Sequence, residues 1–191
     1  MYLFLETEQT GLPKDYKASY KLANNWPRII KFSYILIDKK GNIVEEGAWL
    51  IDNKIEISAV TEITGINNAM LKVYGQSFNK LTENIERLFS LSQYVIGFQI
   101  AFDITLIKSE LYKLNMNCAF IDNISIIDLG IETSNFLKLK TSAKIKYKLP
   151  KLHDLYLKLF GISLPDIRSL KKLHKEKECF FELKRLKLLI E

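Results

Sequence analysis

The sequence has little cysteine and no long uninterrupted apolar run. Its two cysteines, Cys118 and Cys179, lie far apart along the 191 residues, so they do not form the dense disulfide framework of a small secreted domain. Reduced thiols are typical of the cytoplasm, where we expect this protein. A transmembrane helix needs about 20 predominantly apolar residues in a row, and the sequence contains no such run. The chain opens directly on an apolar strand pattern, and we therefore expect no signal peptide.

Glycine and proline are also scarce, at eight and four residues, and they form no low-complexity linker. No internal repeat or domain boundary is visible, which predicts one domain over residues 1–191. An apolar content of 48% is sufficient for a hydrophobic core. The net charge of +6 favours polyanionic partners. Lysine is densest between Lys171 and Lys177, although lysine also coats the solvent-exposed faces of many proteins.

Two acidic residues follow a short apolar run near the N-terminus. Residues 3–5 predict a buried strand, and Gly11 and Pro13 end the element. In an extended chain Glu6 and Glu8 point to the same side, because side chains alternate with a period of two. Two such carboxylates repel each other unless a cation lies between them, and Mg²⁺ or Mn²⁺ is the usual one. The pattern indicates a candidate metal site, with a solvated strand end as the alternative.

Further strands and helices follow from the spacing of apolar residues. Two β-rich runs, 29–38 and 43–51, flank a predicted hairpin turn, and short strands are predicted at 94–96 and 124–129. Helical spacing covers four further segments, which are 81–89, a helix that begins just after Asp103, 152–160 and 180–190. This order predicts an α/β fold, a mixed five-stranded sheet with helices on both faces. The acidic residues then converge at one end of the sheet, as ligand sites in α/β sheets do.

Six segments resemble, in the same order, the motifs of one enzyme family. The first reads FLETEQTGLP, where the family has a hydrophobic residue followed by Asp-x-Glu-Thr-Thr-Gly-Leu-Pro, and a later one ends in Phe102-Asp103 as the family's second motif does. The family is that of the DnaQ-like, or DEDDh, 3′→5′ exonucleases, such as the epsilon subunit of DNA polymerase III. The resemblance covers essentially the whole chain and implies a ribonuclease-H-like exonuclease fold. The six segments are 4–13, 25–30, 63–66, 94–103, 147–161 and 179–183.

The resemblance also implies a reaction, two-metal hydrolysis of a phosphodiester with a histidine as general base. It places metal ligands at Glu6, Glu8 and Asp103, with Glu6 longer than the usual Asp. The family's third motif is His, four residues, Asp, and counting back from the Cys179 segment places these two positions on Ile167 and Lys172. No catalytic residue is therefore intact, and we expect metal binding at the three carboxylates to be weak or vestigial.

Lys172 at the fourth ligand position suggests a specific hypothesis. An ammonium group beside a metal pocket repels the metal and pairs with its ligands. We hypothesise that Lys172 replaces one metal ion with a covalently tethered charge. The alternative is a surface lysine of a basic helix. Rescue of the site by nearby acidic residues or histidine also stays open, although none has the family's spacing; these are Asp166, His174, Glu176 and Glu178.

Residues that contact the substrate in this family have also changed. By position, Thr7 and Leu12 correspond to contacts with the terminal nucleotide. Thr64 stands where His is usual, and Phe98 and Gln99 replace a His-Asn pair.

Together these observations predict an exonuclease-fold protein that binds single-stranded or 3′-terminal nucleic acid and is catalytically impaired or inactive. Two alternatives remain: an active atypical exonuclease that uses Mg²⁺ or Mn²⁺, and a protein-interaction subunit of a larger complex without nucleic-acid contact. In the impaired protein we expect that no cofactor is needed. A protein partner is compatible with each hypothesis, and no membrane partner is expected.

Overall fold

The computed structural model describes residues 1–140 and 147–189. A mixed five-stranded sheet in the order β3-β2-β1-β4-β5 lies at its centre. The central strand β1 is antiparallel to β2 and parallel to β4. Of the two outer strands, β3 is antiparallel to β2 and β5 is parallel to β4. The predicted α/β fold is thereby confirmed. The strands are β1 Tyr2–Gln9, β2 Ile29–Ile37, β3 Ile43–Leu50, β4 Tyr94–Gly97 and β5 Ser125–Asp128.

Helices cover both faces of this sheet. Within the described ranges, none is long and apolar enough to cross a membrane. The helix over residues 152–160 ends, as its sequence predicts, at Gly161, which adopts the left-handed conformation that favours glycine. The helices are α1 Ser58–Thr64, α2 Asn68–Tyr74, α3 Phe78–Leu91, α4 Ile100–Lys113, α5 Ala119–Asp122, α6 Leu129–Glu132, α7 Ser134–Leu137, α8 Leu152–Phe160 and α9 Ser169–Arg185.

Strand β1 is buried on both faces, and its alternation divides the core into two layers. Leu3 and Leu5 pack with the apolar residues of α3 and α4, whereas Tyr2 and Phe4 pack with those of α8 and α9. Continuing the alternation places Glu6 and Glu8 on the α9 face and Thr7 on the α4 face. The packing of the apolar residues of β1 therefore fixes the direction in which its two glutamates point.

The predicted boundaries of three elements were wrong. The first strand does not stop at Leu5, because its ladder with β2 continues as far as Gln9. The helix expected after Asp103 begins at Ile100, because the left-handed Gln99 turns the chain directly after β4. The last helix begins at Ser169, well before the predicted start, and its predicted end at Ile190 lies outside the described residues.

A partly buried ion pair ties the entry of β2 to α4, the helix that carries Asp103. The Arg28 guanidinium donates through Nε to both oxygens of Glu110, at 2.7 and 3.0 Å, and through a terminal nitrogen to Asn53 Oδ1 at 2.8 Å. The Glu110 side chain is 1% exposed. Its Oε1 also accepts from the backbone N–H of Ile29 at 3.3 Å. This network holds α4 against the sheet beside the site.

Replacing Glu110 with Gln should therefore destabilise the fold. The substitution keeps the shape but removes the charge that the Arg28 guanidinium needs, and hydrogen bonds to charged groups contribute about 1.5–3 kcal/mol. We expect urea unfolding to show a loss of that size. Glu182→Gln, at the exposed pair with Arg185, is the control and should cost less than about 1 kcal/mol. Equal losses in the two variants would contradict the structural role of this network.

Candidate functional site

Three elements bring acidic side chains together at one end of the sheet. Glu6 and Glu8 come from β1, Asp103 from the first turn of α4, and the first turn of α9 lies over them. Glu6, Asp103 and Lys172 line one depression of about 290 Å³. The sequence-predicted ligand positions are thus neighbours in space.

Lys172 lies inside this cluster. Its Nζ is 2.7 Å from Glu6 Oε1 and 3.5 Å from Glu176 Oε1, and its side chain is 23% exposed. Burial by itself lowers the pKa of Lys172, but the carboxylates of Glu176, Glu6 and Asp103 outweigh it and raise that pKa above its ordinary value. The ammonium group therefore stays charged at neutral pH. Lys172 is therefore not a free surface lysine of a basic helix.

Ser169 is a second contact from α9, and sequence reasoning missed it. Its backbone N–H donates to Glu6 Oε2 at 2.8 Å, and its hydroxyl donates to Glu8 Oε1 at 2.8 Å. Ser169 has a φ of 55°, a left-handed conformation that is costly for a residue with a side chain. The hydrogen bonds to the two glutamates offset that cost. Together Ser169 and Lys172 give both oxygens of Glu6 a donor.

Asp103 is held by the strand that also carries the glutamates. Its Oδ1 accepts from the backbone N–H of Thr7 at 2.8 Å and from the Thr7 hydroxyl at 2.5 Å. Burial raises the pKa of Asp103 to about 6, and the Thr7 hydroxyl acts in the opposite direction. Thr7, which the family resemblance places at the terminal nucleotide, thus gives both of its donors to Asp103.

Glu176 is a buried acid at the back of the cluster. Its side chain is fully buried, and among the described residues neither of its oxygens has a hydrogen-bond partner. Burial raises the pKa of Glu176 to about 8, against the opposing effect of Lys172. At neutral pH this carboxyl is therefore mostly protonated. A sequence signal existed, since Ser169, Lys172 and Glu176 share one helix face by their spacing.

The side chains as placed do not fit a divalent metal ion. Metal ligands need free carboxylate oxygens, but both oxygens of Glu6 and one of Glu8 already accept hydrogen bonds from α9. The remaining oxygen of Glu8 is buried without a partner in the described part of the chain. In those same residues, no group of three or more His, Cys, Asp or Glu side chains is arranged to hold a metal. A cation is already present, as the ammonium of Lys172.

A larger cleft of about 650 Å³ adjoins the cluster, and Ile167 lies in its wall. The side chain at the family's general-base position therefore faces the cleft without a group that can take a proton. Among the residues considered for rescue, Asp166 lies in the wall of the same cleft, and three of them form ion pairs. Asp166 pairs with Arg168 at 3.1 Å, His174 with Glu46 at 3.1 Å, and Glu178 with Lys175 at 2.8 Å.

The residues expected to contact nucleic acid lie in two separate depressions. Thr7, Leu12, Phe98 and Gln99 all line the depression of about 290 Å³ that also contains Lys172. Leu12 is 74% exposed at its rim. Thr64 lies elsewhere, in a groove on the other side of the start of α9. Two aromatic side chains that sequence reasoning did not select, Tyr16 and Phe102, complete the first depression.

A family model described as an exonuclease, RNase_T, matches residues 3–161. No curated protein matches this chain in sequence at a significant level.

Solved structures of exonuclease I share the fold. The product-bound structure has a TM-score of 0.70 and 18% identity, over 98% of this chain and 44% of its own. The E. coli enzyme in complex with a 5cy-dT13 oligonucleotide has a TM-score of 0.70 and 17% identity, over 98% of this chain and 41% of its own. The zinc-ion-bound E. coli complex with single-stranded DNA has a TM-score of 0.72 and 17% identity, with the same two coverages of 98% and 41%. This chain spans less than half the length of those proteins.

The buried acid predicts a pH dependence of stability. The pKa of Glu176 is about 8 in the fold, above its ordinary value of 4.5, so the folded state holds a proton that the unfolded state has released. The contribution of Glu176 to the free energy of unfolding is therefore fully present below pH 4.5. It is lost as the pH rises through about 8. Each pKa unit corresponds to about 1.4 kcal/mol, and we expect the wild type to lose roughly 2 kcal/mol between pH 6 and pH 8.

Urea unfolding of Glu176→Gln measures this loss, because glutamine mimics the protonated acid and should flatten the curve over that range. Glu182→Gln on the exposed face of α9 should keep the wild-type slope. Parallel curves for the wild type and Glu176→Gln would show that Glu176 is ionised in the fold.

Proposed function

The chain belongs to the RNase_T exonuclease family, and we propose that it binds single-stranded or 3′-terminal nucleic acid while its catalysis is absent or strongly reduced. One observation carries the proposal: α9 supplies an ammonium group and two hydrogen-bond donors to the carboxylates that would otherwise hold metal ions. We also propose that residues 1–191 act as one exonuclease-like domain, and that its reduced cysteines place it in the cytoplasm.

The loss of catalysis has two independent causes. Ile167 at the general-base position removes a contribution of about 10²- to 10⁴-fold. The contact between Lys172 and Glu6 then disfavours the metal that would activate the attacking water. Each loss is large, and together they remove the general base and disfavour the metal ions that the family's reaction uses.

Nucleic-acid binding is supported by the retained cleft and by the charge of the chain. The two adjoining depressions keep an exposed leucine and aromatic side chains near Lys172, and stacking contacts of this kind tolerate any base sequence. The net charge is +6, which attracts phosphates. E. coli exonuclease I has been solved with dT13 and dA16 oligonucleotides, and we extend single-strand binding from that fold to this chain as a proposal.

The alternatives make different demands on the same site. An active atypical exonuclease needs Mg²⁺ or Mn²⁺ at Glu6, Glu8 and Asp103, and therefore needs α9 to release Glu6. A protein-interaction subunit needs no nucleic-acid binding at all. Metal titration tests the first alternative, and oligonucleotide binding in the presence of a chelator tests the second.

Calorimetric titration of Mn²⁺ should give no binding to the wild type and measurable binding to Lys172→Asp. The substitution removes the competing ammonium and adds a carboxylate beside Glu6. Lys171→Asp makes the same charge change at the exposed neighbouring position and should behave as the wild type. Tight Mn²⁺ binding by the wild type would overturn the proposed displacement of the metal. A folded Lys172→Asp that binds no Mn²⁺ would show that Lys172 is not the group that excludes it.

Catalysis should return, at least in part, when three residues are changed together. The variant combines Glu6→Asp, Ile167→His and Lys172→Asp, which supplies a proton acceptor and shortens the ligand that Ser169 now holds. We expect metal-dependent shortening of a labelled single strand from its 3′ end, abolished by a further Asp103→Ala. An inert triple variant that folds and binds Mn²⁺ would mean that the cleft no longer positions a substrate. Degradation by the wild type would contradict the proposal directly.

A further inference from the structure

A second groove lies beside the carboxylate cluster, where residues of β2 and β3 face the start of α9. It encloses about 340 Å³, and its walls include Lys31, Arg168 and Lys171 together with the apolar side chains of Ala48 and Leu170. Arg168 also lines the cleft of about 650 Å³ that contains Ile167. The two depressions therefore meet at this one residue, directly before the first turn of α9.

The cations of this groove have capacity to bind an anion. Lys171 is exposed, and no carboxylate in residues 1–140 or 147–189 lies within ion-pair distance of it. Arg168 contacts Asp166 through one terminal nitrogen at 3.1 Å, and a guanidinium has five N–H donors. Lys31 Nζ forms one ion pair, with Glu8 Oε1 at 3.7 Å, and Glu8 also lines the groove; an ammonium group has three N–H donors. The carboxylates of the cluster do not saturate these three groups.

From this arrangement we infer that the backbone of a single-stranded nucleic acid runs out of the larger cleft, over Arg168, and into this second groove. Arg168 and Lys171 bind successive phosphates, and Ala48 and Leu170 lie against the sugars. The inference rests on the proposed function, since it names the path of the strand that the site binds. Contacts of this type are independent of base sequence and sensitive to salt, and they require no metal ion.

Matched charge-neutralising variants test the path. Lys171→Gln and Arg168→Gln each remove one phosphate contact, whereas Lys177→Gln makes the same change on the same helix about 120° away from Lys171. Binding of a fluorescent 20-nucleotide single strand is measured by anisotropy in EDTA at several salt concentrations. Each lost contact should reduce the slope of log K against log salt by about 0.7, which is roughly a five-fold loss of affinity near 0.1 M salt. Lys177→Gln should match the wild type.

The outcomes separate this inference from the proposed function. A wild type that binds no oligonucleotide would overturn both. A wild type that binds, with all three variants equal to one another, would overturn the path alone. Competition by polyglutamate as strong as that by an unlabelled oligonucleotide would assign the groove to an acidic protein instead.

A measurement on the wild type removes any dependence on the folding of the variants. A strand carrying 4-thiothymidine should crosslink to the peptide that contains residues 168–171. Crosslinks confined to other peptides would refute the path.

Discussion

Carboxylates gathered at the end of a buried strand have to be neutralised, and the rest of this site depends on how that is done. Glu8 and Asp103 are buried, and the Glu6 side chain is only 14% exposed, because β1 packs between two layers of helices. Burying an ionised carboxylate without a partner is costly. In this chain the partners come from protein atoms, with Lys172 and Ser169 on one side and Thr7 on the other.

That solution changes what the cluster can do. A metal ion bound by carboxylates exchanges ligands and keeps positions open for water and substrate, whereas a lysine tethered to a helix supplies charge without an open position. The first turn of α9 thus becomes part of the folded core, and Glu176 on the same helix stays mostly protonated because burial outweighs the opposing effect of Lys172 on its pKa. Under the proposed function, the site contributes to the shape and charge of a binding cleft rather than to a reaction.

Sequence reasoning succeeded where local periodicity dictates geometry. The alternation of β1 placed Glu6 and Glu8 on one face, and apolar spacing located α3, α8 and the strands of the sheet. It failed where backbone conformation depends on distant contacts. The left-handed Gln99 starts α4 before Asp103, and the left-handed Ser169 starts α9 well before the predicted helix. The residue types at these positions do not predict a left-handed conformation, since Gln and Ser both favour negative φ.

The sequence by itself determined the fold class, the shared direction of the two glutamates, and the absence of a proton-accepting side chain at position 167. The fold class follows from the order of the apolar patterns and from the family resemblance. The other two follow from the period of a strand and from residue type, which need no tertiary information. Only the tertiary structure decided that Lys172 reaches Glu6, that Ser169 bonds both glutamates, and that Glu176 is buried behind them. Those contacts join residues more than 160 positions apart in sequence, and their energies depend on how α9 excludes water from the end of β1.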